Sequence, residues 1–250
     1  MSACDKGEVR DMNVLAIGNG FSQDATRYLH GIAAHDGCDM TVVNLNAYKC
    51  SLSEHYKNHL TDEKAYMLEF NGEATGFKVS IKEALLSRDW DVVCIQQFSE
   101  QSISYETFQP YISDLAAYIR KYAPNTSLVI HQTWAYEQNS TSLRSLGYDD
   151  KFQMSMDVKQ CYERAAEEIR ADKIIPSADL FLRMSSQGVR MFRDGLNASY
   201  GLGRYALGLL WYSSLTGRHV TKNTYSKFDE MISSNGIDIA KRCVEALNTF

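Results

Sequence analysis

The sequence predicts a three-layer α/β fold, in which about five parallel strands form one sheet with helices on both faces and a small hairpin insertion. Short apolar runs alternate along the chain with longer stretches whose apolar residues recur at helical spacing. The apolar runs are continuous rather than alternating, as expected for strands that are buried on both faces. No linker or repeat interrupts this pattern, so residues 1–250 are expected to form one domain.

Five apolar runs are the predicted parallel strands, and they lie at residues 13–17, 40–45, 91–97, 127–132 and 173–175. Two further runs, 66–70 and 77–80, flank Asn71-Gly72 and predict a hairpin. Six longer helices are predicted. The first runs from residue 23 to Gly37, and the others cover 53–64, 105–122, 151–170, 199–215 and 237–247. Ser22 is the expected N-cap of the first helix, and Asp24 with Arg27 is expected to form a pair on its surface.

The composition excludes several functional classes. The net charge of -5 and the absence of a basic stripe argue against nucleic-acid binding. The polar first eleven residues lack the apolar core of a secretion signal, and no apolar run reaches the ~20 residues that a membrane span needs. A cytoplasmic protein without a membrane association is therefore expected, and no feature of the sequence indicates an oligomeric state. The six cysteines show neither a CxxC pair nor zinc spacing, so no metal or cofactor is expected.

In parallel α/β sheets, ligands bind beyond the carboxyl ends of the strands. Four loops follow predicted strands in this sequence, and they are expected to carry the chemistry. They comprise residues 18–22, 46–51, 96–102 and 131–137.

Two segments resemble sequence blocks of the SGNH (GDSL-like) ester hydrolases. Residues 16–22, AIGNGFS, are similar to the first block, usually Gly-Asn-Ser-Phe-Ser or Gly-Asp-Ser, and residues 193–199, RDGLNAS, to the last block, Asp-x-x-His. The segments QQ at 96–97, HQTWAYE at 131–137 and GLGRY at 201–205 resemble an uncharacterised SGNH-like domain family. The resemblance covers nearly all of the chain and implies a flavodoxin-like SGNH hydrolase fold.

The chain departs from that family at its catalytic positions. The resemblance places the nucleophilic serine at Gly20, which has no hydroxyl to attack an acyl carbon. It places the general base at Asn197, whose amide cannot accept and return a proton near neutral pH. Asp194, which would orient the histidine, is retained. The glycine of the second block falls near Tyr48 or Lys49.

Six further residues are candidate ligand-binding residues. Asn19 belongs to the first block, and Gln97 or its neighbour Gln96 replaces the asparagine of the third block. Lys49 would contact an anionic group or remain a solvated loop lysine. The remaining three lie in the loop after the fourth predicted strand. His131 is either a spare base or a buried hydrogen-bonding residue, and Trp134 and Tyr136 either stack on a sugar at the mouth of the site or pack in the core.

Four residues are alternative candidates for the nucleophile: Ser22, Ser99, Ser199 and Cys50. Each serine would need a base nearby, and helix capping is the alternative role. An ordinary thiol is the alternative for Cys50.

Two functional interpretations remain. In the first, the protein is a pseudoenzyme with a degenerate site that binds a small polar ligand such as a glycan or an acyl ester. In the second, it is an active esterase-type hydrolase, for example of carbohydrate esters, whose site is rewired or experimentally disabled. Departures at several positions favour natural divergence, and a purely structural or interaction protein is a third, weaker alternative.

Overall fold

The computed structural model describes residues 11–247. The polar amino terminus, on which the expected cytoplasmic location depends, lies mostly outside these residues. The strands of the described part are β1 Met12–Gly18, β2 Met40–Asn46, β3 Tyr66–Phe70, β4 Glu73–Val79, β5 Val92–Ile95, β6 Ser127–His131 and β7 Lys173–Ile175. Its α-helices are α1 Gly20–Thr26, α2 Leu29–His35, α3 Leu52–Leu60, α4 Ile81–Leu86, α5 Tyr111–Tyr122, α6 Thr141–Ser145, α7 Lys151–Ile169, α8 Ser177–Ser186, α9 Leu202–Thr216 and α10 Ser234–Glu245.

Within residues 11–247 the strands form one sheet of seven, in the order β4-β3-β2-β1-β5-β6-β7. The five predicted parallel strands are β2, β1, β5, β6 and β7, and all of them pair in parallel. The expected number of about five is too low for the whole sheet. The predicted hairpin, β3 and β4, does not stand apart but extends the sheet, because β3 pairs antiparallel with β2.

The helices form two layers around this sheet. One layer consists of α1, α2, α8, α9 and α10, and the other contains α3, α4, α5 and α7. The helix α9 is apolar along most of its length and is buried almost all round, because it packs against four other helices. These contacts confirm the three-layer α/β architecture.

The first helix begins earlier than expected and is interrupted. Asn19, not Ser22, is the N-cap of α1, and its Oδ1 accepts a hydrogen bond from the backbone N–H of Phe21. Ser22 lies inside α1, where its hydroxyl donates to the Asn19 carbonyl oxygen at 2.8 Å. As a result, residues 18–22 are not a loop but a strand end, a cap and the first turn of a helix.

Two other helix predictions needed correction. The predicted helix 105–122 is a short 3₁₀ turn, Tyr105–Thr107, followed by α5 after Pro110, since proline favours the start of a helix over its interior. The helix α8 was not predicted, although its buried residues Leu180, Phe181 and Met184 have helical spacing. Within the described residues, no helix is long and apolar enough to cross a membrane.

Candidate functional site

A cleft of ≈ 280 Å³ opens at the carboxyl edge of the parallel strands. Its walls come from the segments that follow β1, β2, β5 and β6 and from the turn that contains Asn197. The lining residues are Asn19, Gly20, Phe21, Tyr48, Lys49, Phe98, Ser99, Glu100, Tyr136, Leu196 and Asn197. The structure thus brings Gly20 and Asn197, which are far apart in the chain, to the same cleft.

Gly20 is the first residue of α1, directly after the cap residue Asn19. A Cβ atom built on Gly20 would meet nothing within 4 Å, and its backbone is outside the left-handed region. Neither a close approach nor a strained conformation therefore requires glycine here. The place that the family's serine side chain would take is open space in the cleft.

The turn that contains Asn197 is held by Asp194. One oxygen of Asp194 accepts hydrogen bonds from the backbone N–H groups of Leu196 and Asn197, at 3.1 and 2.7 Å. The other accepts from Nδ2 of Asn197 at 2.6 Å. Gly195 makes this turn possible, because its φ of +88° is strained for residues with a side chain. Asp194 therefore still orients residue 197, although that residue is an amide.

Partial burial disfavours the charged form of Asp194, but the hydrogen bonds from Asn197 and Leu196 hold its pKa below the usual range. The carboxylate is ionised at neutral pH and acts as an acceptor only. It therefore fixes the amide of Asn197 with its nitrogen toward Asp194. The amide oxygen is the end that remains for a ligand.

A buried carboxylate links the two halves of the site, and the sequence did not indicate it. Asp24, in α1, is fully buried and forms ion pairs with Arg193 and Arg204, both at 2.8 Å. Arg193 also donates to the carbonyl oxygen of Ala198, which closes the turn around Asn197. Burial raises the pKa of Asp24, and the two guanidinium groups oppose that rise.

The expected surface pair of Asp24 and Arg27 is wrong. Arg27 pairs instead with Asp229 and Glu73, whereas Asp24 faces the protein interior. A helix turns by about 100° per residue, so spacing along α1 shows which side chains share a face of the helix. It does not show which of these faces a segment from a distant part of the chain covers.

Three of the six expected ligand-binding residues line the cleft: Asn19, Lys49 and Tyr136. Lys49 lies 3.9 Å from Glu100, beyond hydrogen-bond distance, and both side chains are about half exposed. Its φ of +52° belongs to the left-handed region, which fits a position where the resemblance puts a glycine. The Tyr136 hydroxyl pairs with Ser99 Oγ at 2.9 Å.

Trp134 lies behind the cleft, in the core, and not at its mouth. Its ring is fully buried and stacks between Phe21 and Phe181, with ring centroids 4.0 and 4.4 Å away. Its indole N–H donates to the carbonyl oxygen of Leu196 at 2.9 Å. Of the two alternatives for Trp134, the structure therefore favours packing in the core over stacking on a sugar: the ring supports two residues of the cleft wall, Phe21 and Leu196, from behind.

Gln97 also lies behind the cleft, where it joins loops rather than contacting a ligand. Its side-chain oxygen accepts from the backbone N–H groups of Leu52 and Phe98, and its nitrogen donates to Thr107. These hydrogen bonds use both the oxygen and the nitrogen of the side-chain amide, which is fully buried. The amide is therefore not available to a ligand in the cleft.

His131 is a buried member of a polar chain. Its Nδ1 pairs with Gln96 Oε1 at 2.8 Å and its Nε2 with Ser177 Oγ at 3.0 Å. Gln96 in turn donates to Asn19 Oδ1 at 2.9 Å. Burial lowers the pKa of His131 to about 3. Both ring nitrogens of His131 are hydrogen-bonded, and the residue does not line the cleft. His131 therefore holds Asn19 in position through Gln96 and is not a spare base.

The surrogate nucleophiles differ in their access to the cleft. Ser22 is buried in α1, and the Ser199 hydroxyl accepts from the Gly203 N–H at the start of α9. Cys50 is buried, 3.4 Å from His55 Nδ1, and burial raises the pKa of its thiol to about 12. Of these four residues, Ser99 alone lines the cleft.

The parallel sheet, the first-block turn and the Asp194 turn define a protein with the SGNH hydrolase fold. The chain belongs to the DUF4886 family, a domain of unknown function, which matches residues 13–246. A DUF4886 family protein from Bacteroides uniformis is 32% identical, with a TM-score of 0.89 over 95% of this chain and 94% of that chain.

More distant structures share the fold alone. A proposed SGNH hydrolase from Slackia heliotrinireducens is 19% identical, with a TM-score of 0.59 over 82% of this chain and 100% of that chain. Phospholipase A1 from Streptomyces albidoflavus is 10% identical, with a TM-score of 0.50 over 83% and 99% of the two chains. No curated protein matches this chain.

Proposed function

We propose that this protein is a ligand-binding member of the SGNH fold that has lost ester hydrolysis, and that its cleft binds a small polar ligand such as a glycan or an acyl ester. One observation carries the proposal: the cleft is open at Gly20, and Asp194 still holds the residue at the base position, which is Asn197. Both positions line one cleft, and neither carries the group that the resemblance assigns to the reaction, a serine hydroxyl or an imidazole.

The chemistry of these two positions supports binding over turnover. Glycine offers no nucleophile, and an amide takes no proton from water or from a ligand hydroxyl near neutral pH. Removal of triad members costs about a million-fold in subtilisin, which leaves only binding and oxyanion donors. The cleft nevertheless keeps polar groups next to aromatic rings, a combination typical of small-molecule sites.

The test is a ligand screen by thermal shift and titration calorimetry with glycan fragments, acetylated sugars and small carboxylates. A ligand that binds the folded state raises the melting temperature by mass action. Asn197→Ala should weaken that ligand, whereas the matched control Asn125→Ala should not, because Asn125 is exposed at the opposite edge of the sheet, before β6. A screen without any stabilising compound, or equal effects of both variants, would contradict the proposal.

A second candidate function, an esterase with a rewired site, is favoured by one observation. Ser99 lines the cleft, and its hydroxyl is paired with the Tyr136 hydroxyl. Burial raises the pKa of Tyr136 to about 12, which keeps the phenol protonated and makes it a poor base. A serine-directed fluorophosphonate distinguishes the two functions: stoichiometric labelling at Ser99 supports the rewired esterase, and no labelling supports the binding protein.

A further inference from the structure

The hydrogen-bonding capacity of Asn197 defines what its ligand must supply. The amide nitrogen donates to Asp194 at 2.6 Å, and the backbone N–H of Asn197 donates to the same carboxylate. The side-chain oxygen, Oδ1, accepts no hydrogen bond from the described residues, and Asn197 lines the cleft. A carbonyl oxygen only accepts hydrogen bonds, so the ligand group that meets it has to be a donor.

The space at Gly20 is open to the cleft. A Cβ atom at this position meets nothing within 4 Å. The place of the absent serine side chain is therefore free for a group of the ligand. Gly20 and Asn197 both line the cleft, so one ligand can meet both residues.

The other walls suit a molecule with hydroxyl groups and a C–H face. Ser99 Oγ and the Tyr136 hydroxyl bond to each other at 2.9 Å, and each can still make a further hydrogen bond. Tyr48 lies at the rim with 87% of its surface exposed, and the Lys49 ammonium is 5.7 Å from its ring centroid. An exposed ring beside polar groups can cover the apolar face of a sugar ring.

We infer that the ligand of this cleft is a carbohydrate with a free hydroxyl group, and that this hydroxyl lies in the open space at Gly20 and donates to Asn197 Oδ1. The inference rests on the proposed binding function and narrows it. A sugar that is acylated at this hydroxyl has no donor for Asn197 Oδ1. The cleft therefore selects free sugars over their esters, the reverse of what an esterase requires of its substrate.

The probes are methyl β-glycosides of glucose, galactose, xylose and N-acetylglucosamine, each tested free, fully O-methylated and fully O-acetylated, by titration calorimetry. At least one free glycoside should bind about tenfold more tightly than its O-methylated form, the expected effect of losing a buried hydrogen bond. The O-acetylated form should bind no better than the O-methylated form. Equal or tighter binding of the capped sugars would overturn the inference.

Two variants test the position of the hydroxyl. Gly20→Ala puts a methyl group where the ligand hydroxyl is proposed to lie, without a clash in the protein, so the melting temperature should stay the same while the free glycoside binds about tenfold more weakly. Asn197→Ala should weaken the free glycoside and leave the O-methylated form unchanged, with Asn125→Ala as control. Unchanged affinity in Gly20→Ala would overturn the inference.

The outcomes separate this inference from the proposed function. If acyl esters or small carboxylates bind and depend on Asn197, but free glycosides do not bind, the binding function stands and the inference fails. If no compound of the screen binds, both fail.

Discussion

The buried carboxylate of Asp24 should contribute more to stability than any exposed ion pair of this protein. The change Asp24→Asn keeps the shape of the side chain and removes its charge, so Arg193 and Arg204 lose their common counter-ion. Breaking a buried pair by removing one partner costs about 3–5 kcal/mol. Asp24 is fully buried, but the two arginine side chains are 23% and 11% exposed and can reach water, which favours the lower end, ~3 kcal/mol.

Calorimetry and urea unfolding measure this cost directly. For a chain of this length, ~3 kcal/mol corresponds to a fall of about 6–12 °C in the melting temperature. Glu73→Gln is the matched control, since Glu73 pairs with Arg27, the residue that follows α1, and is 75% exposed, so that its loss should cost about 0–1 kcal/mol. Equal losses in the two variants would refute the role of Asp24. Amide exchange at Asn197 should also become faster in Asp24→Asn, because Arg193 holds that turn.

Three further predictions concern groups behind the cleft. Trp134→Ala should lower the free energy of unfolding by about 3–5 kcal/mol in urea titrations, whereas exposed Phe152→Ala should change it little; similar losses would contradict the stacked placement of the indole. His131 and His55 are neutral in the folded protein because burial lowers each pKa to about 3, and they protonate near 6.5 when unfolded. The contribution of each neutral histidine to the free energy of unfolding is therefore fully present above pH 6.5. It falls as the pH is lowered, by ~2 kcal/mol for each histidine at pH 5. His131→Gln should make the free energy of unfolding less dependent on pH, and an unchanged pH dependence would contradict this placement of His131. Iodoacetamide should modify Cys50 in the native protein at pH 7.5 far more slowly than in urea, since its thiol pKa is about 12; equal rates, followed by mass spectrometry, would show that the thiol is accessible.

Much of the fold could be predicted because the parallel strands are buried on both faces and appear as continuous apolar runs. The strand 173–175 has the predicted bounds, and the others differ at their ends by a few residues. The edge of the sheet was harder to predict, because a hairpin pattern does not show which strand it will pair with. The start of α1 was missed because both Asn19 and Ser22 are good capping residues, and only the backbone geometry decides between them.

The site could be predicted where it depends on local motifs. Two short sequence blocks contain Gly20, Asp194 and Asn197. In the structure Gly20 and Asn197 line one cleft, and Asp194 is hydrogen-bonded to Asn197. Asp24 was misjudged because its partner Arg193 is 169 residues away, a contact that spacing along a helix does not reveal.

The loop after β6 shows a second reason for the errors. Trp134 and Tyr136 are two residues apart, aromatic and both buried, yet only Tyr136 also lines the cleft. The difference follows from Phe21 and Phe181, which enclose the indole from helices that are distant in sequence. Composition alone could not separate the two roles, and both alternatives were open for each ring.

The most direct test of the central claim is the rate of p-nitrophenyl acetate hydrolysis by the wild-type protein and by the double variant Gly20→Ser, Asn197→His. The open space at Gly20 and the Asp194 carboxylate at residue 197 are the features that a restored serine and histidine would use. We expect the wild-type rate to equal the buffer rate and the double variant to exceed it about 100-fold, the lower range for a positioned base. Turnover by the wild-type protein, or a double variant that folds but is no faster than the wild type, would contradict the claim that a triad geometry persists without its reacting groups.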